Sequence, residues 1–344
     1  MAIILTALVA AISISPAQEM QLARTYKLGE KLTYQIKSNM SIQHKQRGLQ
    51  TWIPEDLDMN YQFTTEVKAL KPDGVADVLY LRPTMTVIEG ETFDRPPKTQ
   101  VEKVKYNFLL TVSPANEILN MKDLNPPPKP KAAPKKGGGT MMMLSSPSYK
   151  RAQVPFIGQF ISEVHRLALF AGNFESALDF APRLSFDKLK VGDTWKRTVG
   201  YTPQKLKGKD GKTVNQRLDY TFTYKGLVDS NGKKVFRVSG ECGLDTNLAD
   251  YVNQMFEMKP EETGLKSIPL KFKANIEFDL DQVTRKTLQT VAVSEGGFQI
   301  ILTDLPNDPI EEETFKGRTT LKLVSTTMVK QPAKPAGKPG KGNR

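Results

Sequence analysis

Over most of the chain, apolar and polar residues alternate. Tyr34, Ile36 and Ser38 fall on one side of an extended segment, and Tyr61, Phe63, Thr65 and Val67 repeat the pattern. The run Val75-Ala76-Asp77-Val78-Leu79-Tyr80-Leu81 follows Pro72-Asp73-Gly74. Period-two spacing sends successive side chains to opposite faces and predicts half-buried strands. Asp-Gly supplies the positive φ of a tight turn, so the segments flanking it form a hairpin. The second half shows the same order, with Tyr220, Phe222 and Tyr224, then Ser230-Asn231-Gly232, then Val235-Phe236-Arg237-Val238. Helical spacing is scarce. Its best run is 156–168, where Phe156, Ile157, Phe160, Ile161, Val164, Leu167 and Ala168 share one face. Pro155 suits the first turn of such a helix and Gly172 its end. A shorter candidate covers Leu248 to Phe256.

The two halves match motif by motif. Tyr26-Lys27-Leu28-Gly29-Glu30-Lys31-Leu32 corresponds to Leu189-Lys190-Val191-Gly192-Asp193-Thr194-Trp195, each followed by strand, turn and strand. Phe108-Leu109-Leu110-Thr111-Val112 turns at Pro114-Ala115-Asn116, as Ile276-Glu277-Phe278-Asp279-Leu280 turns at Asp281-Gln282. A conserved order of motifs across two halves predicts two related β-units sharing one core. On these residues, the Lys-Val-Gly-Asp-Thr-Trp run at 190–195 above all, the chain resembles a family of uncharacterised exported bacterial β-rich proteins built from two tandem related halves. The resemblance covers most of 25–120 and 182–328 and implies a β-fold, with no catalytic residues attached to it. In architecture it is similar, more distantly, to the half-barrel lipid carriers of bacterial envelopes.

Composition sharpens this picture at the ends and in the middle. Of the net charge of +12 over 344 residues, the stretch 122–151 supplies +6 and the tail 330–344 supplies +5, which leaves the rest nearly neutral. A rigid basic face for nucleic acid is therefore not expected. The Pro/Gly/Lys-rich stretches suit a solvated linker and tail, either as spacers or as a weak electrostatic contact with anionic envelope material. The apolar N-terminus ending in Ser15-Pro16-Ala17 has the form of a secretory signal peptide, although its first residues carry no Lys or Arg. The expected organisation is a signal peptide at 1–17, a first β-unit at 18–121, a linker at 122–153, a helical insert at 154–181, a second β-unit at 182–329 and a basic tail at 330–344. The expected location is periplasmic or extracellular, in soluble form.

Catalytic signatures are weak. The chain has two histidines, His44 in a polar Gln-His-Lys-Gln-Arg run expected to turn and His165 at the edge of the helical face, and both suit ordinary surface or half-buried roles. Ser185-Phe186-Asp187-Lys188 satisfies Ser-x-x-Lys but opens a strand and lacks companion motifs. Gly211-Lys212-Thr213 imitates the end of a phosphate loop, yet Leu206 stands where its first Gly belongs. Cys242 is single, which excludes an intrachain disulfide. Asp304, Asn307, Asp308, Glu311, Glu312 and Glu313 suit a solvated acidic loop, with calcium as a weaker alternative. No cofactor is called for. The expectation is a mainly β fold, two antiparallel units forming one curved sheet, sandwich or half-barrel with an inserted amphipathic helix. Its expected role is non-catalytic: binding an apolar or lipid-like ligand, or alternatively a structural or surface role; a hydrolase is the third reading. In the binding reading, Phe156, Ile157, Phe160, Ile161, Val164 and Leu167 form the underside of a lid; in the plainer one they pack into a core.

Overall fold

The computed structural model describes residues 19–90, 96–103, 106–125, 157–170, 181–201 and 216–329. The signal-peptide expectation, most of the linker, the Gly211-Lys212-Thr213 run, Phe156 and the basic tail lie outside these residues. In chain order the elements of the first half are β1 (Met20–Gln21), β2 (Glu30–Gln46), β3 (Ile53–Leu70), β4 (Ala76–Arg82), β5 (Met85–Glu89), β6 (Lys98–Glu102), β7 (Tyr106–Val112) and β8 (Ile118–Asp123). Helix α1 (Ile157–Ala168) follows, then β9 (Lys188–Leu189), β10 (Thr194–Tyr201), β11 (Gln216–Ser230) and β12 (Lys233–Asn247). Helices α2 (Leu248–Phe256) and α3 (Pro260–Thr263) precede β13 (Leu265–Ser267), β14 (Pro269–Leu280), β15 (Thr287–Leu302) and β16 (Glu311–Met328).

The main sheet runs β10-β11-β12-β14-β15-β16-β2-β3-β4-β7-β8, every neighbour antiparallel. It is one large sheet, mainly β as the alternation predicts, and it does not close into a barrel. The seam between the halves is β16 against β2, in register from Glu311 opposite Gln46 to Met328 opposite Glu30. Along the long strands one phase is buried and the other more exposed, as in Leu32, Tyr34, Ile36, Ser38, Met40 and Ile42 of β2. Those inward phases form a single core cluster that takes residues from both halves, from Leu32 to Leu321.

The paired glycine motifs do the same job twice. Gly29 (φ 77°) donates its N–H to Val67 C=O at 2.9 Å, and Gly192 (φ 98°) donates to Tyr224 C=O at 2.8 Å. Immediately after each acceptor the strand slips by a bulge, Val67/Ala69 in β3 and Tyr224/Gly226 in β11. Each following acid closes the same short turn, Glu30 N–H to Lys27 C=O and Asp193 N–H to Lys190 C=O. Bulges tighten twist and bend a strand, which curls the sheet at this end.

Helix α1 packs inside the curl. Phe160, Val164 and Leu167 are buried in the core, and Phe160 meets Phe298 of β15 edge-on at 6.3 Å. The chain just past α1 seats Leu169 over Gly317 of β16, where a Cβ would come within 2.9 Å of its Cδ2. Thr319 donates its hydroxyl to Leu169 C=O at 2.6 Å, which satisfies a carbonyl left over at the helix end. Helix α2 forms where its spacing predicts it, capped by Asn247, whose Oδ1 accepts the N–H of Ala249.

Candidate functional site

At the bulged end the chain at 22–27 crosses between the two halves of the sheet. Arg24 N–H reaches Pro114 C=O at 2.7 Å and Thr25 N–H reaches Thr284 C=O at 2.9 Å, so this segment spans the corresponding turns of the two halves. A second segment, 181–186, lies between the two sheet edges. Asn116 Nδ2 donates to Pro182 C=O, Leu184 N–H to Ala115 C=O, and Trp195 Nε1 to Arg183 C=O. Arg197 of β10 lies 3.4 Å from Glu117 next to β8. The edges that fail to pair as strands are thus joined at this end by side chains and one irregular strip.

Beneath the crossing segments is a cavity of about 100 Å³. Its apolar lining includes Leu32, Tyr34, Phe63, Val67, Val78 and Leu110. Its polar lining, hereafter its polar rim, includes Arg24, Glu30, Arg183, Arg285 and Thr287. Glu30 sits at the inward phase of β2 and is 3% exposed. Arg24 Nη2 pairs with it at 2.7 Å and Lys286 Nζ approaches at 3.5 Å, so its charge is met twice. Arg24 also donates to the carbonyls of Thr25 and Thr284. Burial pushes the Tyr26 hydroxyl up to about 12, against the opposing pull of Arg24 and Arg183, so it stays a neutral donor toward Ser113 C=O and Asn116 Oδ1. Tyr34, raised for the same reason, donates to Thr287 C=O at 3.1 Å.

The opposite end of the sheet holds a second polar group. Both histidines of the chain come here, with three glutamates. His165 of α1 lies with Nε2 2.5 Å from Glu313 Oε1, and His44, the cross-strand partner of Glu313, has Nδ1 3.9 Å from Glu55 Oε2. Burial pushes the Glu311 carboxyl up to about 7, with Glu313 and Glu55 raising it further and His165 opposing. Arg166, next along α1, pairs with Glu102 of β6 at 2.7 Å. These contacts fix the helix to the sheet.

The structure corrects the sequence reading at several of these residues. His44 lies within β2 instead of a polar turn, and Glu311, Glu312 and Glu313 open β16 instead of completing an acidic loop. Among the described residues no group of metal-ligating side chains is assembled. Asp308 of that stretch pairs with Arg47 at 2.6 Å. Burial pushes the Cys242 thiol up to about 12, which removes it as a thiolate nucleophile. Of the proposed lid face, Phe160, Val164 and Leu167 are in the core and Ile161 is half-buried against it; none of these four lines the cavity, and Ile157 starts the helix. A groove of about 850 Å³ also crosses the outer face beside Lys271, Lys273 and Glu295, but four of its charges are exposed and paired, Lys271 with Asp245 and Lys273 with Glu295.

The charged residues whose inward placement sequence reasoning missed share one signal. Glu30, His44, Glu55, Arg82, Glu311 and Glu313 are polar residues on the apolar phase of their strands. A charge in that phase must be partnered inside, because burying it alone is costly.

No family model matches the chain, and no curated protein matches it. Among solved structures, one of lipid-protein interactions in lipovitellin aligns with 91% of this chain and 27% of its own, at 8% identity and a TM-score of 0.42. The chain therefore spans about a quarter of that protein's length. DynF from the dynemicin biosynthesis pathway of Micromonospora chersina aligns at 8% identity and TM-score 0.21, over 93% of this chain and 92% of its own. OccK7 (OpdD) of Pseudomonas aeruginosa aligns at 9% and 0.23, over 86% of this chain and 100% of its own. Likeness at this level assigns no family and no ligand. Among the described residues no helix is long and apolar enough to cross a membrane.

Proposed function

We propose that the chain is an exported, non-catalytic binding protein that holds an apolar or lipid-like ligand in the mouth of its half-barrel. The cavity carries this reading: mostly apolar walls joined by a few buried or half-buried polar side chains, set on strands whose register is fixed on both sides. Its volume of about 100 Å³ is below the roughly 150 Å³ dry cavity that takes a benzene ring. It suits a short acyl group or the tip of a longer chain. Burying four methylenes at about 0.8 kcal/mol each supplies about 3 kcal/mol, roughly two decades of affinity before the rim contributes.

The test is extraction of protein purified from the organism that makes it, followed by mass spectrometry. A small apolar compound released on denaturation, and absent from Val78→Phe protein whose added ring fills the cavity, supports the reading. A wild-type extract matching that of the filled variant overturns it. Export rests on the apolar run before Ala17, and N-terminal sequencing of the mature protein is expected to begin near Gln18; a mature chain still starting at Met1 overturns that part.

A further inference from the structure

We infer that the ligand of this cavity carries a carboxylate, received at the rim by Arg285 and Thr287. The inference rests on the cavity being a binding site and adds the chemistry of what binds. Three guanidinium groups and one carboxylate line the cavity, and that carboxylate, Glu30, is already held by Arg24 and Lys286. Arg285 is not so engaged. Its Nη2 points to Met20 Sδ at 3.4 Å, its guanidinium lies 4.4 Å over the Phe236 ring, and its Nε has no hydrogen-bond partner although buried. The acid in its own turn, Asp281, is occupied locally: its Oδ1 accepts the N–H groups of Val283 and Thr284 and the Thr284 hydroxyl.

Thr287, two residues on, is 5% exposed, and its hydroxyl is also without a partner while its carbonyl accepts from Tyr34. Native proteins rarely leave buried donors unmet, and each orphan calls for an explanation. Two orphan donors beside a positive rim, above an apolar pocket, are met together by an acceptor with two oxygens and one negative charge. A neutral alcohol of the same length fills the pocket and leaves a donor and the charge unanswered.

Isothermal titration calorimetry of the full chain with sodium hexanoate and with 1-hexanol separates the possibilities. The expected result is hexanoate binding tighter by about tenfold or more, the gain of a charge-assisted hydrogen bond, with the preference shrinking as salt rises. Arg285→Met and Thr287→Val are each expected to collapse that ratio toward one. Thr287→Val keeps the shape and reports even where Arg285→Met fails to fold. Equal binding of the two compounds, or a preference that survives both variants, overturns the carboxylate while leaving the apolar site intact. Binding of neither compound overturns the site itself.

Discussion

Glu311 offers a stability experiment whose sign is fixed by its surroundings. Burial, with Glu313 and Glu55, pushes its carboxyl from 4.5 up to about 7 in the folded protein. Between those values the folded chain holds a proton that the unfolded chain has released. Stability therefore falls as pH rises through this window. A shift from 4.5 to about 7, at 1.36 kcal/mol per pH unit, gives a loss of about 3 kcal/mol by pH 8. Glu311→Gln keeps a neutral side chain of the same shape and removes the dependence. His44, His165, Glu55 and Glu313 face the same space and remain in both proteins, so the difference between the two isolates Glu311 to first order. Urea denaturation followed by fluorescence of the buried Trp195 at pH 5, 6, 7 and 8 measures it. The variant is expected to match wild type at pH 5 and to exceed it by up to about 3 kcal/mol at pH 8. A difference that stays constant with pH, or that grows toward acid, refutes the reasoning.

Three further outcomes follow from single contacts. Gly192→Ala meets open space and strains only its φ of 98°, a cost of about 1–2 kcal/mol, whereas Gly29→Ala also drives a Cβ to 2.5 Å from Val329 C=O and is expected to cost clearly more in the same denaturation assay. Phe160→Asp places a charge against Phe298 and is expected to lower stability by at least about 3–5 kcal/mol; a variant with wild-type stability would show that α1 is not part of the core. Deleting 330–344 removes +5 of the two basic segments' charge and is expected to halve a weak, salt-sensitive binding to anionic vesicles; binding that persists in ~1 M salt contradicts that origin.

The strands were legible because alternation is written locally: Leu32 to Ile42 and Tyr61 to Phe63 state their inward phase without help from the rest of the chain. The twin motifs at Gly29 and Gly192 were legible for a similar reason, since a positive φ demands a residue type. Helix α2 declares itself through Asn247 and its spacing. The pairing of β16 with β2 was not legible, because a partner some 270 residues away in sequence leaves no local trace. That one pairing brings Glu313 beside His44, and the packing of α1 brings His165 to both. The cavity was hidden for the same reason. Arg24, Arg183 and Arg285 are far apart in sequence and meet only because two irregular segments cross one mouth. The apolar face of α1 demands a cover, but sequence alone does not say whether a core or a ligand supplies it.

The most direct test of the central claim is a methyl NMR titration of the full chain with sodium hexanoate. The methyl groups of Leu32, Val67, Val78, Leu110, Val112 and Leu321 line the cavity. Those of Val164 and Leu167 lie in the core under α1, and that of Leu244 borders the outer groove. Saturable shifts confined to the first set are the predicted result. Shifts confined to Leu244, or none at saturating hexanoate, would contradict an interior binding site.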